Sequence, residues 1–223
     1  MIRHAIPILG AALLATACVP AFAESAVATP AAKLEAAEGK GLKAAVFAGG
    51  CFWGIEGVFS HVKGVTSAVS GYHGGAARTA KYGLVGEGDT GHAEAVRVVY
   101  DPAVVRYDEL LRIFFAVGTD PTQLNRQGPD VGSQYRNALV PLSAEQEKVA
   151  TAYLAQLRAA KLWKKPIVTR VEAYKGFYPA EGYHQDFMAE NPSHPYIQMW
   201  DAPKLSAFKK LFPAYYKPAF TTG

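Results

Sequence analysis

Cysteine is almost absent from this chain, with two in 223 residues, Cys18 and Cys51. That excludes a disulfide framework and a cysteine-based zinc site. An excess of one charge is missing too. Lys and Arg number 23 against 19 Asp and Glu, and no basic cluster is dense enough to suggest nucleic acid. Long apolar runs are confined to the start, where Ala5–Val19 is too short and too alanine-rich for a membrane span. Met1–Ala23 reads instead as a signal peptide, with Arg3 and His4 ahead of the apolar run and Ala21-Phe22-Ala23 as an A-x-A cleavage signal. Cleavage before Cys18 with lipidation of that residue is the alternative, but Leu14 stands one place out of register for it. Soluble export to the periplasm is therefore expected. On either reading Cys51 is the one free thiol of the mature protein.

Without the leader about 200 residues remain, enough for one domain with a sizeable core. Glu24–Leu42, rich in Ala, Lys and Glu, reads as a flexible lead-in, residues 43–213 as the folded domain and 214–223 as a tail. Lys43–Ala48, Val65–Tyr72, Glu94–Asp101, Asn137–Val140 and Ile167–Ala173 have the apolar, β-branched character of strands. Helices are expected over Phe52–Ser60, Tyr107–Val117, Ser143–Lys161, Glu181–Glu190 and Lys204–Leu211, the third opening on a Ser143/Gln146 capping box. Residues 71–91 hold seven glycines and read as a long surface loop. Strands and helices mix without a regular repeat, which argues for a two-layer α+β domain.

The stretch with most chemical content is Gly49-Gly50-Cys51-Phe52-Trp53-Gly54. It joins an expected strand to an expected helix, so the glycines permit a tight turn and Cys51 falls at a helix N-terminus. Free N–H groups there favour a thiolate, the nucleophilic form, and predict a lowered thiol pKa. Against this, free cysteine is among the most buried residue types and commonly acts as a small hydrophobe. Glu94, at the mouth of a strong strand, is either a solvated edge carboxylate or, if desolvated, an acid able to work near neutral pH. Gly86–Gly91 matches G-x-G-x-x-G but lacks the preceding strand and following helix of a dinucleotide site. His92-Ala93-Glu94 has the H-x-E of zinc deaminases without their cysteines.

Taken in order, GCFWG, Gly71-Tyr72, Tyr82, Gly91-His92-Ala93-Glu94, Tyr100-Asp101-Pro102, Asp120-Pro121-Thr122, Asn125-Arg126-Gln127-Gly128, Asp130, Gln134-Tyr135-Arg136 and Tyr183-His184-Gln185 resemble the A-type peptide methionine sulfoxide reductases. The resemblance covers about Val46 to Gln185. It implies a two-layer α/β sandwich around a mixed β-sheet, with a ferredoxin-like core and long irregular loops. By the same resemblance Cys51 would attack the sulfoxide sulfur and Glu94 would protonate its oxygen. Tyr82 and Tyr135 would hydrogen-bond that oxygen, Phe52 and Trp53 would hold the substrate methyl, and Asp130 would order the polar side of the pocket. The implied substrates are oxidised proteins and free methionine sulfoxide, of the S-epimer. The chain departs from many members in having Thr119 where they have histidine, and in lacking C-terminal recycling cysteines. It therefore looks like the single-cysteine variant, a monomer needing no cofactor or metal beyond an external thiol such as dithiothreitol or a thioredoxin-like partner. Two other readings stay open on the residues alone. A thiol peroxidase would also use a low-pKa cysteine but gives no reason for Glu94, Tyr82 and Tyr135, and a binding domain would simply bury Cys51.

Overall fold

Alternation in Lys43–Gly49 (β1) sends Ala45 and Phe47 to one face of a sheet and Val46 and Ala48 to the other. The computed structural model to which β1 belongs describes residues 26–223, so the expected leader and Cys18 lie outside the described residues. Phe52–Ser60 (α1) follows β1 at once and lays Phe52, Ile55, Val58 and Phe59 on the Phe47 face. Val65–His73 (β2) and Ala93–Tyr100 (β3) complete the centre of the sheet, β3 pairing antiparallel with both β1 and β2. In β3 the same alternation puts Val96, Val98 and Tyr100 under α1, and Glu94 shares their parity. A carboxyl is thereby turned inward at the end of the sheet where β1 meets α1.

The remaining strands are short. Asn137–Val140 and Arg170–Val171 extend the β1 side, Phe177–Pro179 extends the β2 side, and Arg126–Gln127 with Asp130–Val131 form a separate hairpin. Only the pairing of 137–140 with 170–171 is parallel, so the six-stranded sheet is mixed. The expected strand Ile167–Ala173 shrinks to two residues because its partner is itself four long; beyond it, the Val168 N–H turns to Pro121 O at 2.8 Å.

Tyr107–Ile113 (α2) is shorter than expected and widens into a π-type turn over Phe114–Gly118. The widened turn buries Phe114, Phe115, Ala116 and Val117 together, which one face of a regular helix does not allow. Ala144–Ala160 (α3) has Ser143 as N-cap, its Oγ accepting the Gln146 N–H at 3.2 Å. The reciprocal half of the capping box is absent. The Gln146 side chain accepts from Leu142 and donates to Ala44 O and the Tyr100 hydroxyl, tying α3 to the sheet.

Two expectations for connecting segments are corrected. Residues 26–42 are an extended strap, not a flexible lead-in: Thr29 and Ala36 are buried, and Tyr153 and Gln156 donate to Pro30 O and Ala31 O. At the strap's far end Glu38 accepts from the Tyr100 hydroxyl and the Tyr107 N–H. Glu181–Glu190 is no continuous helix but a 3-10 turn at Gly182–His184 and a short helix at Phe187–Glu190. Asp186 between them adopts a left-handed φ of 55°, and its N–H donates to the buried Glu56 carboxyl at 3.0 Å. Those tertiary bonds outweigh helical continuity. Ala202–Leu211 (α4) closes the chain onto α1, and the tail returns to α1 through the Lys217 and Thr221 N–H groups, which donate to His61 O and Ser60 O.

Candidate active site

Cys51 is the N-cap residue of α1, 9% exposed and a free thiol. Its backbone is set by Gly50 at φ +98°, where a Cβ would also stand 2.4 Å from Gln127 Cβ. Gln127 is fixed in turn by Thr119 and Asn137, whose side-chain amide donates to it at 3.2 Å; the Thr119 hydroxyl lies 2.6 Å from Gln127 Oε1. Thr119 thus braces the cysteine loop. Gly50→Ala combines left-handed strain with a clash against the Gln127 side chain and is expected to cost about 3 kcal/mol, measured as a shift in the denaturation midpoint.

The carboxyl of Glu94 is 3% exposed, and its Oε2 accepts the Phe52 N–H at 3.1 Å, in the first turn of the helix that Cys51 caps. Burial pushes its pKa up to about 8; Asp130 and Asp201 add to the rise, and the Phe52 N–H opposes it. At neutral pH this side chain holds its proton. The lowered thiol pKa expected from the helix N-terminus is not found. Burial pushes the Cys51 thiol well up, with Glu94, Asp201 and Asp130 acting in the same direction and the Trp53 N–H opposing them. A helix terminus contributes about 1 kcal/mol, whereas full burial shifts a pKa by several units.

The phenols of Tyr82 and Tyr135 come from separate segments, a one-turn helix at Tyr82–Gly86 and a 3-10 turn at Ser133–Tyr135. The expected loop over residues 71–91 is therefore partly helical. His92 fixes it to the sheet, its Nδ1 accepting the Gly75 N–H at 3.2 Å. Burial and then the charge on Glu94 raise both phenol pKa values, and Cys51 acts on each, so the two hydroxyls face the same centre. Tyr82 keeps 38% exposure and marks the mouth.

Phe52 is buried against Tyr72 and His184, at ring-centroid distances of 5.9 and 5.1 Å. Trp53 is half-buried, stacked on Phe187 at 3.8 Å, with Tyr196 against its edge at 5.7 Å. Asp130, on the 126–131 hairpin, accepts the Tyr196 hydroxyl and is raised by burial. Cys51, Glu94, Tyr82, Tyr135, Asp130, Phe52 and Trp53 are all brought together.

Five residues at the site carry no role in the sequence reading. His184 accepts the Trp53 indole N–H on Nδ1 at 3.2 Å, and burial lowers its pKa, so the ring stays neutral and orients the indole. Tyr196 lines the cleft that holds Cys51, as do Trp200 and Lys204. Asp201 is fully buried and presses against Gly54, where a Cβ would lie 2.1 Å from its Oδ1. The glycine at position 54 was the available signal, since a small residue on a buried helix marks a close neighbour, although not which one.

Residues 43–215 match the family described as Peptide methionine sulfoxide reductase. A protein of Mesorhizobium japonicum, "Peptide methionine sulfoxide reductase MsrA 2", is 55% identical over 176 residues, 79% of this chain and 90% of the relative. A namesake from Synechocystis is 51% identical over 173 residues, 78% of this chain and 81% of the relative. Among solved structures, reduced Mxr1 of Saccharomyces cerevisiae superimposes with a TM-score of 0.61 at 32% identity, covering 77% of this chain and 93% of the other. Methionine sulfoxide reductase A of Corynebacterium diphtheriae gives a TM-score of 0.59 at 33% identity, over 69% and 77% of the two chains.

Proposed function

This chain belongs to the peptide methionine sulfoxide reductase family, and from that premise we propose how its own residues carry out the thiol-dependent reduction of methionine sulfoxide. The observation that carries the proposal is the protonated Glu94 carboxyl bonded to the first turn of the helix capped by Cys51. Oxygen leaves sulfur poorly until its charge is neutralised, so an acid and fixed donors must converge on it. Glu94 supplies the proton and the hydroxyls of Tyr82 and Tyr135 the hydrogen bonds. Cys51 Sγ attacks the sulfoxide sulfur, the S–O bond breaks as its oxygen takes the protons of Glu94 and the thiol and leaves as water, and water then attacks Sγ, releasing the thioether and returning a proton to Glu94. The sulfoxide is reduced by two electrons to a thioether, and Cys51 is oxidised by two to a sulfenic acid.

Phe52 and Trp53 form the apolar wall that takes the methyl, Asp130 lies on the polar side, and Tyr196 links the two, edge-on to Trp53 and bonded to Asp130. That asymmetry supports selection of one epimer, and the resemblance to the A-type family members implies that it is the S-epimer. Exposed Tyr82 and Tyr183 flank His184 at ring distances of 4.3 and 4.2 Å, giving an open aromatic rim suited to protein-bound as well as free substrate. The leader pattern of residues 1–23 supports export to the periplasm, which N-terminal sequencing of the mature protein tests.

With Cys51 as the one thiol of the mature chain, its sulfenic acid has no internal partner. Two external thiols must regenerate it, the first forming a mixed disulfide and releasing water, the second freeing Cys51. A thioredoxin-like protein, or dithiothreitol in vitro, fills that role. Without reductant, one equivalent of methionine per enzyme is expected. Mass spectrometry after that turnover should show a trappable sulfenic acid on Cys51, and a disulfide to Cys18 would overturn both the recycling scheme and the leader reading. An epimer-resolved assay with dithiothreitol tests the reading as a whole.

A further inference from the structure

Glu56 is a fully buried carboxyl in the middle of α1, and the reaction outlined above makes no use of it. Its Oε1 accepts the Ser70 N–H of β2 at 3.2 Å and its Oε2 the Asp186 N–H at 3.0 Å. Burial pushes its pKa up to about 8, Asp186 adds to the rise, and the two N–H groups oppose it. At neutral pH the group is therefore uncharged and acts as a pair of acceptors. A carboxyl buried where an apolar residue would fill the space is costly unless its bonds hold something in place. The two bonds are not equivalent. The Ser70 N–H has a second acceptor in Gln185 Oε1 at 2.9 Å, whereas among the described residues the Asp186 N–H is given to Glu56 alone.

Asp186 is the junction between the turn Gly182–His184 and the short helix Phe187–Glu190, and its φ of 55° is left-handed. A residue with a side chain holds that conformation against about 1 kcal/mol, so an anchor at this point fixes the path of the chain on both sides. On one side His184 Nδ1 accepts the Trp53 indole N–H at 3.2 Å; on the other Phe187 stacks on the indole at 3.8 Å. Glu56 follows Trp53 at i+3 on α1, so neighbouring positions of one helix carry both the indole and the anchor of its two supports. We propose that Glu56 is a positioning residue for the methyl-binding wall: by holding the Asp186 N–H it fixes Phe187 and His184 against Trp53. The wall so held sets how large an S-alkyl group the site accepts beside Cys51. The inference rests on the reading of Trp53 as part of that wall.

The test compares kcat/KM for an S-methyl and an S-ethyl sulfoxide, free methionine sulfoxide and ethionine sulfoxide, with dithiothreitol and the mature protein. The ratio of the two does not depend on how much of the enzyme is folded, so a loss of stability alone leaves it unchanged. In a fixed apolar pocket one methylene is worth about tenfold or more, and the unmodified protein should favour the methyl compound by that amount. Glu56→Met removes both acceptors at similar volume, and the preference should drop to about twofold. Glu56→Gln should keep it, because the amide oxygen can take the Asp186 N–H while the Ser70 N–H stays with Gln185. Glu56→Asp is one methylene short of Asp186, and the same drop in that variant decides the matter if the Met variant does not fold. Relaxed preference in Glu56→Met or Glu56→Asp, with retention in Glu56→Gln, supports the assignment. An unchanged preference, or equal relaxation in all three, overturns it. Trp53→Leu is run beside them. If it abolishes the preference while Glu56→Met does not, the wall stands and the role of Glu56 falls. If it has no effect, or the unmodified protein shows no preference, the wall reading itself falls and the inference with it.

Discussion

Cys51→Ser is expected to reduce methionine sulfoxide no faster than the buffer does, while its thermal unfolding stays close to that of the original protein. The hydroxyl fits the same N-cap position, and a serine there caps a helix at least as well as cysteine. Chemistry fails because the step requires an anionic or near-anionic nucleophile. The thiol already resists ionisation in this pocket, with burial and three carboxyl groups against it. An alcohol begins several units higher still and has no adjacent base to activate it, since Glu94 arrives protonated. The readout is methionine formed by the purified variant in the presence of dithiothreitol. Clear residual turnover would remove Cys51 from the nucleophile's role. Running hydrogen peroxide beside methionine sulfoxide on the unmodified protein separates the peroxidase reading, which needs Cys51 but has no use for Glu94, Tyr82 and Tyr135.

The parts of the fold legible in the sequence are those where local pattern and tertiary packing agree. β1 and α1 are short, strongly patterned and fully committed to the core, and their limits fall within a residue of expectation. Asn137–Val140 matches as read. The failures share a cause, namely backbone or side-chain partners distant in sequence. The strap over residues 26–42 looked featureless because its order comes from Tyr153, Gln156, Asp108 and Tyr100, not from its own residues. The helix expected at Glu181–Glu190 breaks at Asp186 because Glu56, 130 residues away, holds its N–H.

At the site, residue types were legible and energetics were not. The helix placement of Cys51 is legible, yet the sign of its pKa shift depends first on burial and then on Glu94 and Asp201, and Gly54 signals a close neighbour without saying which. A reading organised around sulfur passes over what residues 195–213 supply, namely Tyr196, Trp200, Asp201 and Lys204.

Glu94→Gln is expected to lower turnover by about two to four orders of magnitude, the range a positioned general acid contributes. The amide can still accept the Phe52 N–H through its oxygen, so the geometry now seen at 3.1 Å survives and only the proton is lost. Two pH signatures separate this from a structural defect. In the unmodified protein the acid is present only while Glu94 is protonated, so activity should decline as pH rises through about 8, and the variant's residual activity should lack that decline. Stability carries the second signature. A carboxyl whose folded pKa is raised from 4.5 to about 8 keeps its proton while the unfolded chain has lost it. The folded state therefore binds more protons across that window, and its stability falls as pH climbs from about 4.5 to about 8. Glutamine does not titrate and escapes this penalty. The variant's melting temperature should thus lie above the original's at pH 8 and converge with it below pH 4.5, even as catalysis is lost. A variant that loses less than about threefold in rate, or that melts lower at pH 8 than the original, would mark Glu94 as a structural residue and leave protonation of the oxygen to Tyr82 and Tyr135.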